Sequence, residues 1–222
     1  MSGSGDWRDS KFVAHYNSLY ALSHEEARPY LDRLALAKTD SLVDFGCGDG
    51  TFLALTAPLV GRALGLDGSA DQVSLAREKL RGLPRAEVVQ AGFLDCDLAG
   101  RTFTKGFSRK ALHHLTDPQK REFLTRVGPR FAPGALFLIE DGIFPFRRDQ
   151  LEAHMPQVLR EGEAYFGDAW AAKKDDFIHM MREEFPTGAE LWAGAFESAG
   201  FRVLERWQKN CFLGGLLARK ES

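Results

Sequence analysis

Along the chain, short apolar or β-branched runs alternate with longer amphipathic segments closed by glycine, the pattern of a parallel sheet flanked by helices. The strand-like runs lie at 41–45, 62–66, 86–90, 102–108 and 135–140. Between them, Ser69 with Gln72 three residues on reads as a capping box opening a helix that Gly82 closes. Asp117-Pro118 reads as an N-cap followed by a proline at the first helical position. Pro133-Gly134 marks the turn into the fifth strand. Ahead of the first strand, Ser23 and Glu26 form another capping box for a helix reaching about Lys38, and a short helix precedes it at 12–20. After Asp141 the alternation breaks. About fifty residues rich in aromatic and charged side chains predict a helical cap inserted at 142–186. The pattern resumes with a third capping box, Thr187 to Glu190, a helix ending at Gly200, and two strand-like runs, FRVLERWQ and CFLGGLLARK, joined so tightly that they must pair antiparallel.

At 222 residues the chain suits one domain: N-terminal lid helices over 8–38, a core over 39–141 and 187–220, and the cap between. The balance of 29 Lys+Arg against 31 Asp+Glu gives a net charge of −2, so no basic field favours nucleic acid. Three scattered cysteines without a C-x-x-C pair predict neither a disulfide framework nor a zinc centre. Without an apolar leader or a long apolar run, the expectation is a cytoplasmic protein that does not enter the membrane.

The chemistry starts at VDFGCGDGTFL, 43–53, where glycines occupy positions 46, 48 and 50. Glycines between a strand and a helix let the backbone approach a ligand and aim free N–H groups at it. The dinucleotide pattern G-x-G-x-x-G fails, because Thr51 occupies its last position. What remains is D-x-G-x-G-x-G from Asp44 to Gly50. This resembles motif I of the class I S-adenosylmethionine-dependent methyltransferases. Asp67, 17 residues beyond Gly50, stands where that family places the acid at the end of its second strand. VVQAGFLDCDL, SRKALHHL and RFAPGALFLIED follow in the family's order, so the resemblance covers roughly 40–141.

The resemblance implies an α/β fold: a Rossmann-like, seven-stranded, mostly parallel sheet with an antiparallel last strand, helices on both faces and the helical cap insertion. It implies S-adenosylmethionine as cofactor and S-adenosylhomocysteine as product. By position, Asp44 orients the loop and the methionine amino group, and Gly46, Cys47 and Gly48 lie against the methionyl and ribose portions. Asp67 holds the ribose diol, with Gly68 and Gln72 near the adenine, Phe93 on its other face, and Arg109 completing the cofactor set. Two departures stand out. Gly92 occupies a position where the family often has an acid for the adenine amine, with Asp95 as a substitute, and Thr104 replaces an acid that is usually structural. Tyr16 resembles a tyrosine that closes over the cofactor's carboxylate end, or else packs within its helix.

The acceptor belongs beyond the carboxyl ends of strands four and five. There His113 and His114 are candidate general bases, or packing residues at a helix start. Glu140, with Asp141, binds a cationic acceptor or caps neighbouring structure. Phe144, Phe146, Tyr165 and Trp170 line an apolar lid, unless they form the cap's own core. Arg147-Arg148 meets an anionic substrate or is simply solvated. No metal site is expected: His154, His179, Glu183 and Glu184 offer only the His179–Glu183 spacing, which suits a surface hydrogen bond. The function expected is methyl transfer to an O, N or S atom of a small molecule by a monomer or homodimer. The inserted cap and the lack of an Asn/Asp-Pro-Pro-aromatic tetrad favour it. Methylation of protein or tRNA, and a non-methylating cofactor-binding protein, are the alternatives.

Overall fold

A computed structural model describes residues 22–221. The helix expected at 12–20, Tyr16 within it, and the start of the expected lid lie outside the described residues. Helix α1 (His24–Leu34) precedes β1 (Ser41–Phe45), α2 (Thr51–Thr56), β2 (Arg62–Asp67), α3 (Ala70–Lys79), β3 (Ala86–Gln90), β4 (Phe103–Arg109), α4 (Asp117–Val127) and β5 (Phe131–Asp141). Then follow β6 (Ile143–Phe144), α5 (Leu151–Phe166), α6 (Trp170–Glu183), β7 (Thr187–Gly188), α7 (Ala189–Ser198), β8 (Phe201–Asn210) and β9 (Leu213–Lys220).

The main sheet has the order β3-β2-β1-β4-β5-β9-β8, and β9 alone runs against the rest. The chain builds outward from β1 to β3, then crosses back to place β4 on the other side of β1. This reversal opens a crevice at the carboxyl ends of β1 and β4. Alternate side chains sort the two faces: Val43, Phe45, Phe137 and Ile139 pack with Phe123, Trp192 and Phe196 of α4 and α7. Leu42 and Leu138 pack on the other face with Tyr30, Leu34, Phe52 and Val73 of α1 to α3.

The insertion is a helical hairpin, α5 and α6, with an apolar centre of its own around Phe144, Met155, Val158, Phe177 and Phe212. Its two ends meet where β6 pairs in parallel with β7. No helix among the described residues is long and apolar enough to cross a membrane.

Several local expectations change. The Ser23–Glu26 box forms, but α1 stops at Leu34, where Ala35 turns left-handed at φ 46°. Helix α4 begins one residue earlier than expected: Thr116, not Asp117, is its N-cap, and Thr116 with Gln119 makes a capping box. Thr187 caps nothing; it is buried, and its hydroxyl donates to Asp117 Oδ2 at 3.2 Å, while Gly188 precedes α7 without a side-chain cap. Pro133-Gly134 lies inside β5 rather than before it. Pairing runs from Phe103–Phe131 to Lys105–Leu136 across a bulge, with Gly134 at φ 82°. Thr116→Ala therefore lowers stability in urea by about 1 kcal/mol, while Thr116→Ser leaves it near wild type.

Candidate functional site

The crevice at the reversal point is a cavity of about 310 Å³. The glycine loop leaves β1 there: Gly46, Gly48 and Gly50 all take positive φ, at 75°, 53° and 77°. Gly46 and Cys47 both donate their N–H to Leu66 O, at 2.8 and 3.0 Å, which binds the loop to the end of β2. A Cβ on Gly46 would stand 2.3 Å from Ala111 Cβ, whereas one on Gly48 would meet nothing within 4 Å. Gly46 thus serves packing against the β4 side, and Gly48 faces open space. Asp67 fixes the loop further, since Oδ2 accepts from Gly48 N and Oδ1 from Ser69 N, both at 2.9 Å.

Asp44 is buried and borders the cavity, and among the described residues no donor reaches its carboxyl. Burial, and then the negative charge of Asp67, raise its pKa well above the ordinary value. Asp67 is also raised by burial, with its two backbone N–H bonds pulling the other way. At the β4 side, Arg109, Lys110, Ala111 and His114 complete the wall. Lys110 takes the left-handed conformation, φ 51°, and burial followed by the charge of Arg109 lowers its pKa to about 8.

Behind that wall the loop after β4 is organised by Asp141. Its Oδ2 accepts the N–H groups of Ala111, Leu112 and His113 at 3.2, 2.8 and 3.1 Å. Its Oδ1 accepts Gly142 N at 2.7 Å and meets His113 Nδ1 at 2.5 Å. From the cap side, Glu184 Oε2 lies 3.2 Å from His113 Nε2, and Glu184 Oε1 lies 3.7 Å from His114 Nδ1. Burial opposes a charge on His113, but Asp141 and Glu184 outweigh it and lift its pKa to about 10. His114 goes the other way: burial and the positive charge of His113 push it down to about 4.

Comparison with known proteins now bears on this arrangement. Residues 42–134, which include the glycine loop, Asp67 and the loop after β4, match the family described as Methyltransferase domain. Over these residues the chain carries a methyltransferase domain of the class I S-adenosylmethionine-dependent kind. It is 28% identical over 204 residues to a 2-phytyl-1,4-naphtoquinone methyltransferase of Thermosynechococcus vestitus, covering 90% of this chain and 87% of that protein. An uncharacterized 37.1 kDa protein in a transposon of Streptomyces fradiae is 33% identical over 101 residues, 42% of this chain, and the chain spans only 29% of its length. In fold, it resembles a chain of the complex between the Haloferax volcanii Trm112 methyltransferase activator and a provisionally assigned methyltransferase. The TM-score is 0.70 at 16% identity, over 100% of this chain and 99% of that one.

In this methyltransferase, Asp44, Gly46, Cys47, Gly48, Asp67, Gly68, Gln72, Phe93, Arg109 and His114 all border the cavity. Gly92 does not: the Asp95 carboxylate packs against it, with Oδ1 2.5 Å from where a Cβ would be. The other residues expected at the site are elsewhere. His113 does not border the cavity: its ring lies between the carboxylates of Asp141 and Glu184, which raise its pKa. Glu140 is fully buried and already engaged by Tyr30, Lys209 and Trp207: the Tyr30 hydroxyl donates to Oε1, Lys209 Nζ lies 2.8 Å from Oε2, and Trp207 Nε1 is 3.4 Å from Oε2. Phe144, Phe146 and Trp170 belong to the cap's apolar centre, Phe146 stacking on His154 with 4.0 Å between ring centroids. Tyr165 is exposed and packs edge-on against Phe212 at 5.7 Å. His179 Nε2 is buried without a hydrogen-bond partner among the described residues, so it makes no surface bond to Glu183. Of the arginine pair, Arg147 is exposed, and Arg148 is partly buried and donates to Glu184 O and Pro186 O.

Sequence reasoning missed Lys110 and Ala111. Ala111 gave no signal, being defined only by its contact with Gly46; Lys110 gave one, a lysine immediately after a strand of the parallel sheet. The two glycines separate packing from binding. Gly46→Ala costs stability by about 2–3 kcal/mol through its overlap with Ala111, whereas Gly48→Ala costs about 1–2 kcal/mol of backbone strain and fills ligand space. Urea unfolding of both variants, with binding measured on the folded fraction, checks the contrast.

Proposed function

We propose that the protein binds S-adenosylmethionine in this cavity and transfers its methyl group to an O, N or S atom of a small molecule. The observation that carries the reading is Asp44: a buried carboxyl bordering the cavity, without a donor among the described residues and with its pKa raised. A cationic ligand is what such a group lacks, and the methionine part of the cofactor carries an ammonium beside its sulfonium. The remaining residues fit the rest of that molecule. Asp67, with one N–H bond to each oxygen, retains lone pairs for a diol. The space free of contacts at Gly48 and Gly68 admits close approach. Phe93 offers a ring for adenine, with Gln72 opposite, and Arg109 a charge for the carboxylate.

When bound, S-adenosylmethionine supplies a methyl group already activated on positively charged sulfur. The chain's own task is to hold the acceptor in line and exclude water. His114 borders the cavity as a neutral imidazole, suited to hydrogen bonding rather than to taking a proton. Lys110, bordering the same wall, favours an acceptor that carries or develops negative charge. The relative that acts on a naphthoquinone supports a small-molecule acceptor.

Isothermal titration of the full chain with S-adenosylmethionine tests the cofactor: one site is expected, and no binding at millimolar ligand sinks the reading. Asp67→Ala weakens that binding by roughly 1–3 kcal/mol, the loss of charge-assisted hydrogen bonds. The pH dependence follows from Asp44. Binding a cation requires its carboxylate form, so affinity falls as pH is lowered through its raised pKa, well above the ordinary value of 3.8. Asp44→Asn removes that dependence, and a flat profile in the wild-type protein contradicts the assignment. Formation of S-adenosylhomocysteine from a panel of hydroxyl, amine and thiol acceptors identifies the atom methylated.

A further inference from the structure

We propose that His113, His114 and Glu184 form a binding site for a divalent first-row transition metal ion in the wall of the cavity. One ligand atom from each residue lies within 4.8 Å of the others. Two of the separations, 3.2 Å for His113 Nε2 to Glu184 Oε2 and 3.7 Å for His114 Nδ1 to Glu184 Oε1, are near the roughly 3.3 Å between ligands around a tetrahedral ion. The His114 and Glu184 side chains are 32% and 20% exposed.

His113 is held as metal-binding histidines are held. Its Nδ1 faces a carboxylate, Asp141, whose other oxygen is fixed by three backbone N–H groups, so Nε2 points at Glu184. A carboxylate behind the imidazole sets the ring's tautomer and direction and strengthens it as a ligand. The charges also agree. The carboxylates of Asp141 and Glu184 converge on the two nitrogens of one imidazole, at 2.5 and 3.2 Å.

Two imidazoles and one carboxylate suit zinc, cobalt, manganese or nickel better than magnesium or calcium, which prefer oxygen alone. Three protein ligands leave coordination positions open. His114 belongs both to this cluster and to the cavity wall, so the cluster adjoins the cavity. A hydroxyl acceptor bound there would be acidified by the ion and lose its proton to water without a protein base, its oxygen then forming the bond to the methyl carbon as the carbon–sulfur bond breaks and S-adenosylhomocysteine leaves. This narrowing to oxygen acceptors rests on the methyl-transfer reading above, whereas the metal site does not.

The test is titration of cobalt(II) into the full chain after dialysis against a chelator, read by visible d–d absorption and by calorimetry. One site with tetrahedral or five-coordinate bands is expected, and His114→Ala and Glu184→Gln each weaken binding at least tenfold. Circular dichroism and urea unfolding, measured without metal, check that the variants fold. Absence of cobalt bands, or equal affinity in wild type and both variants, overturns the site. Loss of cofactor binding with cobalt binding intact overturns the methyl-transfer reading alone. With both sites present, a phenolic acceptor that leaves the cobalt spectrum unchanged overturns the link to oxygen acceptors.

Discussion

The carboxylate of Asp141 organises more of this molecule than its size suggests. Buried at the end of β5, it accepts N–H groups from Ala111, Leu112, His113 and Gly142 and also binds the His113 ring. An ionised group taken out of water persists only where such partners surround it, and here the charge of His113, its ring hydrogen bond and the N–H of Gly142 hold the pKa at about 2 despite burial. The consequence reaches the ligand cavity. By fixing the loop after β4, Asp141 sets Ala111 against Gly46, and that contact leaves no room for a side chain at the first glycine of the loop after β1. The same network binds the cap to the sheet: Glu184 follows α6 and faces His113, whose carbonyl accepts the N–H of Phe185 at 2.8 Å.

The opposite wall works by the reverse logic. Asp44 is as buried as Asp141 but has no donor among the described residues, and Asp67, with two, still feels the burial. One carboxylate is satisfied by the fold, and the other is the one proposed to meet the ligand. The crossing from β3 back to β4 makes this division possible, since it separates the ends of β1 and β4 and lets each be served by a different loop. Left-handed backbone marks the same place, taken without strain by Gly46, Gly48 and Gly50 and with strain by Lys110.

Much of this was legible in the sequence because it is local. A strand is identified by its own apolar run, and the glycine spacing with the acid at Asp67 reports a loop whose parts lie within about twenty-five residues. All cofactor candidates from Asp44 to Gln72 border the cavity for that reason. The errors fall where a local sign competes with a distant contact. Asp117-Pro118 has the chemistry of a helix start, yet Thr116 with Gln119 closes a better box. Thr187 has the same signature and spends its hydroxyl on Asp117. Pro133-Gly134 signals a turn in isolation, and in the sheet it becomes a bulge because Phe131 still pairs with Phe103.

The histidines show why site chemistry is harder to read than fold. His113 and His114 are adjacent and of one type, so nothing local distinguishes their protonation. Their environments split them: Asp141 and Glu184, from the end of β5 and the end of the cap, hold a proton on the first, and that charge together with burial removes it from the second. Glu140 and Asp141 divide similarly. Alternation along β5 sends Glu140 toward Tyr30 and Lys209 on one face, and Asp141 toward the β4 loop on the other. A chemical role at such positions is a property of the pairing between segments, and the sequence carries it only through the register and the cap geometry that bring the segments together.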